Sequence, residues 1–180
     1  MSVTVDVREL VRAPGSARRD ELDEPIPGLA TELARVPEDR SVHADLLFEG
    51  VVEGILVSGS IRGIMSFSCA RCLNLTDSAF DLPVQELFVP GAGEADDEYP
   101  LPEEGVLDLE PMIRDAVVLA MPFAPLCRPG CRGLCARCGG DLNLGECTCP
   151  PEADARWGAL QEIDWGGDPS ELSRDRREEH

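Results

Sequence analysis

The chain contains no lysine: all 16 of its basic residues are arginine, set against 35 acids for a net charge of −19. A bulk nucleic-acid binder is normally basic, because phosphate neutralisation supplies most of its affinity. The acid excess argues against that class for the chain as a whole. Such a field attracts basic proteins instead, although scattered acids also serve simply to keep a small protein soluble. No run of about 18 apolar residues occurs, so no helical membrane span is expected. The first residues, Met-Ser-Val-Thr-Val-Asp-Val-Arg-Glu-Leu, lack a charged n-region and a long apolar h-region. Export is therefore not expected, and a cytoplasmic location is. Histidine is almost missing: His43 falls in a predicted strand and His180 is the last residue. Neither has a Ser or Cys partner in sequence, and an enzyme is not expected.

Cysteine is what the chain does have. Six of its 8 cysteines crowd between Cys127 and Cys149, as Cys127, Cys131, Cys135, Cys138, Cys147 and Cys149. The other two, Cys69 and Cys72, form a separate Cys-x-x-Cys about fifty residues upstream. In a chain without an export signal such clusters point to metal or redox work rather than disulfides. A redox centre needs one Cys-x-x-Cys, usually opening a helix. Here the flanks are glycines and polar turns. Zinc takes four thiolates at about 2.3 Å in a tetrahedron, so eight cysteines predict two Zn²⁺ ions. Two divisions of the ligands are open. In the favoured one, Cys135, Cys138, Cys147 and Cys149 share a local ion, leaving Cys69, Cys72, Cys127 and Cys131 for a second. In the other, Cys127, Cys131, Cys135 and Cys138 hold one ion together. A Cys₄ zinc is coordinatively closed and leaves no place for a water nucleophile.

The charge is uneven. Gly91 to Glu110 carries eight acids and no base, read here as a solvated, flexible loop. Gly54 to Thr76 carries two arginines and no acid. Arg71, Arg128, Arg132 and Arg137 sit between or beside cysteines. They are candidates for contacting a partner, and equally for offsetting the formal −2 of a Cys₄ zinc centre.

The length of 180 residues allows one domain with a small appended module, and a core that does not depend on zinc. Val3, Val5 and Val7 alternate with polar residues and predict an opening strand. Arg12 to Arg40, rich in Pro, Gly and charge, reads as an irregular crossing segment. Val42, Ala44, Leu46 and Phe48 predict a second strand. Glu53 to Ser68 is a long β-type run whose Gly59 and Gly63 suggest bends or bulges. Ala79 to Val89 returns, which places Cys69 and Cys72 at a hairpin tip. One helix is clear: Leu109, Met112, Ile113, Ala116, Val117, Ala120 and Met121 recur at helical spacing, Asp108 is placed to cap it, and Pro122 ends it. A short helix is expected over 154–163. The resulting fold class is α+β: an antiparallel β-sheet or partial barrel with one main helix and a C-terminal Cys-rich zinc module. The expected division is a main domain over 1–125, a zinc module over 126–163 and a disordered tail over 164–180.

Several of these stretches carry a resemblance. Val-Asp-Val-Arg-Glu-Leu-Val-Arg-Ala-Pro-Gly (5–15), Glu-Gly-Ile-Leu-Val-Ser-Gly (53–59), Cys69-Ala-Arg-Cys-Leu, Val84-Gln-Glu-Leu-Phe and Leu109-Glu-Pro-Met-Ile-Arg-Asp are among them. The most specific is Cys131-Arg-Gly-Leu-Cys-Ala-Arg-Cys-Gly-Gly-Asp-Leu-Asn, since a generic zinc ribbon need not carry Gly-Leu between its cysteines or Asp-Leu-Asn after them. Over most of 1–163 the chain resembles the YceD family of large ribosomal RNA subunit accumulation proteins, in the form expected of a high-GC actinobacterium. The resemblance implies a ribosome-biogenesis role: accumulation or processing of large-subunit rRNA, beside ribosomal proteins in the cytoplasm. It supplies no catalytic residues, and only the cysteines transfer, as metal ligands. The partner expected is a basic large-subunit ribosomal protein or a pre-ribosomal particle, with rRNA secondary and no membrane. A direct RNA-binding processing cofactor and a zinc reservoir or redox sensor are the rivals.

Overall fold

The computed structural model describes residues 3–91, 98–145, 147–149 and 156. In chain order its elements are β1 (Thr4–Asp6), α1 (Arg8–Arg12), β2 (Ala17–Glu24), β3 (Ala34–Arg35), β4 (Val42–Gly50), β5 (Ile55–Ser68), β6 (Leu75–Pro90), β7 (Tyr99–Leu101), β8 (Val106–Asp108) and α2 (Glu110–Ala120). This is an α+β-like protein, mostly sheet with few helices.

The alternating apolar residues do what their period requires. On β4, Val42, Ala44, Leu46 and Phe48 are all buried while their neighbours are half-exposed. On β5 the inward set is Ile55, Val57, Ile61, Met65 and Phe67, and the same face continues into buried Cys69. Gly59 and Gly63 occupy in-phase positions on that face. No bulge forms there: β4 and β6 flank β5 in unbroken antiparallel register, Leu46 opposite Gly59 and Phe80 opposite Gly63. The glycines instead admit close neighbours. A Cβ on Gly63 would sit 2.6 Å from the Phe80 ring, and one on Gly59 would sit 2.0 Å from the Asp45 carbonyl oxygen.

The main sheet runs β2-β4-β5-β6-β7, with β3 pairing the far end of β5. Among the described residues it does not close into a barrel. The sheet is mixed rather than wholly antiparallel, because β7 joins β6 in parallel. The segment from Arg12 to Arg40 is not irregular throughout. It contains β2, eight residues paired to β4 from Ala17–Glu49 to Glu24–Val42. Its charged residues hide the strand from a hydrophobicity reading, since an edge strand needs little apolar surface. The acidic stretch is likewise not one flexible loop. β7 pairs the sheet and β8 pairs β1, burying Leu101 and Leu107. The acids at 94, 96 and 97 lie outside the described residues, as do the expected helix over 154–163, Arg156 excepted, and the tail over 164–180.

The helix α2 buries Met112, Ile113 and Val117, flanked by buried Leu109 and Met121, while Ala120 is exposed. Asp108 lies one position ahead of the N-cap, Leu109, yet its Oδ1 still accepts from the Glu110 amide at 3.0 Å. Tyr99 ties this helix to the sheet edge: its hydroxyl donates to Asp115 Oδ2 at 2.9 Å and its ring stacks on Phe88. A short α1, absent from the sequence reading, lies against β4. Past α2 the chain turns at Pro122 and runs back to the tip of the β5–β6 hairpin, where the Ala70 amide donates to the Pro125 carbonyl at 2.8 Å. That return positions the cysteines.

Candidate metal centres

The β5–β6 connection is a tight turn. The Leu73 amide donates to the Cys69 carbonyl at 2.9 Å, and the Cys69 amide to the Asn74 carbonyl at 2.9 Å. Leu73 takes a left-handed φ of 61°, which lets the chain reverse within one residue of Cys72. Both thiols then face the segment arriving from Pro125. Across 62 residues of chain, Cys69 Sγ lies 3.8 Å from Cys131 Sγ, and across 55 residues Cys72 Sγ lies 3.7 Å from Cys127 Sγ. Cys69, Cys72 and Cys131 are buried and pack with Leu126 and Leu134 into a small core of their own.

The second group is local. Cys135 and Cys138 form a turn closed by Gly139 N–H to the Cys135 carbonyl at 2.9 Å and Cys135 N–H to the Gly140 carbonyl at 2.8 Å. Gly139 supplies the left-handed φ of 70°. Cys147 and Cys149 return to the same place. Cys138 is exposed and the other three are half-buried.

In each group the four sulfurs all lie within 4.8 Å of one another. The division is Cys69, Cys72, Cys127 and Cys131 in one group, and Cys135, Cys138, Cys147 and Cys149 in the other. The alternative grouping of Cys127, Cys131, Cys135 and Cys138 is not what the fold assembles. The spacing tests the donor sets. A disulfide needs sulfurs about 2.05 Å apart. A tetrahedron with metal–sulfur bonds of about 2.3 Å has sulfur–sulfur edges of about 3.8 Å. The contacts of 3.8 and 3.7 Å match the second figure. Both groups could therefore hold a metal ion.

The surroundings favour thiolate at one cysteine of each knuckle. The backbone amides of Cys127 and Cys72 hold Cys69 down at about 6, and the Cys138 and Arg137 amides hold Cys135 down at about 6. Within each cluster another thiol is pushed the opposite way. Burial, then the neighbouring thiols, raises Cys127 to about 12; the Cys138 thiol, then burial, raises Cys149 to about 12. Four sulfurs this close cannot all carry charge without a cation among them.

The four singled-out arginines are all exposed, and the guanidinium groups of Arg71 and Arg128 bond to residues of the module. Arg71 Nη1 donates to the Cys131 carbonyl at 2.8 Å, and Arg128 Nη2 donates to Asn143 Oδ1 at 2.9 Å. The Arg132 amide also donates to Asn143 Oδ1, at 2.9 Å. Asn143 is the site residue that sequence reasoning passed over, although the Asp141-Leu-Asn143 wording stood out. An Asx residue in a turn marks side-chain to backbone bonding, and here the Asn143 amide donates to Asp141 Oδ1 at 2.8 Å. Among the described residues no helix is long and apolar enough to cross a membrane.

The model for the family described as Large ribosomal RNA subunit accumulation protein YceD matches residues 57–164, which hold all eight cysteines. The chain belongs to the YceD family. An uncharacterised protein of Mycobacterium tuberculosis is 34% identical over 168 residues, covering 89% of this chain and 81% of that protein. One from Mycobacterium leprae is 31% identical over 169 residues, covering 89% and 77%. The Arabidopsis thaliana protein named Large ribosomal RNA subunit accumulation protein YCED homolog 1, chloroplastic, is 37% identical over 60 residues, 33% of this chain and 19% of that protein. No solved structure matches. The YceD name describes accumulation of large-subunit rRNA and implies no catalytic step.

Proposed function

We propose that this YceD protein is a non-enzymatic, zinc-binding ribosome-biogenesis factor of the cytoplasm. It supports accumulation of large-subunit rRNA by holding a basic large-subunit ribosomal protein, or by docking on a pre-ribosomal particle, with direct rRNA contact secondary. Each Cys₄ group takes one Zn²⁺, and the zinc is structural, since four sulfurs complete its tetrahedron. The observation that carries the reading is the pairing of the family match with two thiol tetrads whose sulfurs all lie within 4.8 Å of one another. The charge supports protein before RNA. A net of −19 repels a polyphosphate and attracts a basic protein. Arg71 and Arg128 already spend guanidinium groups on Cys131 and Asn143, which supports the charge-offset role for them. The main domain over 1–125 and the module over 126–163 then act as one body joined by the Cys69/Cys72/Cys127/Cys131 zinc.

The test is affinity capture from native lysate with and without RNase, beside binding of the purified protein to large-subunit rRNA fragments at physiological salt. A basic ribosomal protein retained after RNase treatment is the expected result. Tight partner-free rRNA binding that disappears when Arg128, Arg132 and Arg137 are replaced together by Ala, with zinc content intact, would instead establish the direct RNA-binding reading.

A further inference from the structure

By sequence, Asn143 belongs to the local centre, since it lies between Cys138 and Cys147. Its side chain serves the other one. Nδ2 lies 3.6 Å from Cys131 Sγ and 2.6 Å from Asp141 Oδ1. Oδ1 accepts from Arg128 Nη2 and from the Arg132 amide, both at 2.9 Å. Donors meet one end of the amide and acceptors the other, so the neighbours determine which way it points.

We infer that Asn143 is a positioning residue for the Cys69/Cys72/Cys127/Cys131 centre, donating to the Cys131 sulfur. The inference rests on metal binding as proposed above. A Cys₄ zinc carries a formal charge of −2, and each N–H···S bond withdraws charge from a thiolate and makes it less reactive. The buried centre receives such bonds from backbone amides, among them Arg71 N–H to Cys69 Sγ at 3.5 Å and those of Cys127 and Cys72 to the same sulfur. Asn143, in the loop of the neighbouring centre, adds a side-chain donor, to Cys131.

That loop is anchored to the buried centre throughout. The Leu142 amide donates to the Gly133 carbonyl at 2.9 Å, Leu134 bridges Asp141, and the Leu134 amide donates to the Arg71 carbonyl at 3.0 Å. These backbone bonds aim the Asn143 side chain at Cys131.

The experiment uses the full zinc-loaded chain and follows alkylation of each cysteine by N-ethylmaleimide, mapped by peptide mass spectrometry. In Asn143→Ala, Cys69, Cys72, Cys127 and Cys131 are expected to label about tenfold faster, as is typical when an outer-shell donor is lost. Cys135, Cys138, Cys147 and Cys149 should change far less. Asn143→Asp keeps an oxygen for Arg128 and Arg132 but has no N–H for sulfur, and should label at least as fast as Asn143→Ala. Three results would overturn the inference: unchanged labelling of the buried four in both variants, equal acceleration of all eight cysteines, or Asn143→Asp behaving as wild type. Elemental analysis of the wild type separates the two levels. Fewer than two metals per chain removes the metal reading, and this one with it, whatever the variants do.

Discussion

The two knuckles share a tetrapeptide and a turn, and differ in burial and in where their partner sulfurs come from. Cys69-Ala-Arg-Cys72 and Cys135-Ala-Arg-Cys138 fold into the same turn, closed by the same pair of backbone hydrogen bonds and by a left-handed residue after the second cysteine. The first is buried, and its partner sulfurs arrive from 62 and 55 residues away. The second is exposed at Cys138, and Cys147 and Cys149 follow directly in sequence. One staples the hairpin tip to the chain leaving α2; the other closes a short loop. The difference teaches that a tetrapeptide dictates a turn, while the reach of the remaining ligands decides what the turn is for.

Breaking one ligand in each centre should produce the largest contrast. A structural zinc site can contribute on the order of 10 kcal/mol to folding. Cys72→Ser is expected to lose one metal and to deprotect the distal β5–β6 hairpin in hydrogen exchange. Cys135→Ser should lose one metal and deprotect mainly residues 134–149. Equal deprotection of the hairpin by both substitutions would erase the distinction.

Metal release sharpens the comparison next. Protons and chelators compete for thiolates, so affinity falls as pH falls. With exposed Cys138 the local centre should empty first, and the buried centre only at lower pH or higher chelator. Following zinc release with a chromogenic chelator during acidification should resolve two steps; a single step would erase the difference in burial as the determinant of metal retention.

A smaller effect is expected where the centres join. Gly133 is buried at a φ of 75°, and a Cβ there would meet the Arg71 carbonyl oxygen at 2.9 Å. Gly133→Ala should cost about 2 kcal/mol, combining the left-handed penalty with that close contact. Denaturant titration measures it, and a neutral result would show that the join can relax.

The smallest effect tests the shared turn itself. Leu73 holds a φ of 61° where Gly139 holds 70°. Leu73→Gly should stabilise by up to about 1 kcal/mol, since glycine enters this region without the Cβ penalty, and Gly139→Leu should destabilise by a similar amount. Equal thermal midpoints for Leu73→Gly and wild type would show that the exposed leucine offsets its strain.

Much of the sheet was legible because half-buried strands write themselves as alternation. Val42 through Phe48 did so, and so did the run that became β5. α2 was legible at its apolar positions and at Pro122. What escaped was structure carried by polar residues. β2 is eight residues with Leu22 its only large apolar side chain, held by its ladder to β4. β7 and β8 are three residues each inside an acidic stretch, too short for any period to register. Gly59 and Gly63 looked like bulges, whereas close neighbours on the sheet face require their lack of a side chain.

By itself the sequence determined the local chemistry: thiols at knuckle spacing, a residue after each pair to reverse the chain, an arginine-only set of bases and a charge of −19. These follow from composition and from contacts a few residues long. The spacing favoured one division of the cysteines and left another open, and tertiary structure decided between them. Bringing Cys69 and Cys72 to Cys127 and Cys131 requires the β5–β6 hairpin to extend, α2 to pack and Pro125 to bond Ala70, and no spacing rule encodes a closure across 55 residues. The same holds for Asn143, whose donor reaches Cys131 rather than the cysteines beside it. A side chain's partner is set by where the folded backbone aims it, and that aim is summed over the whole sheet.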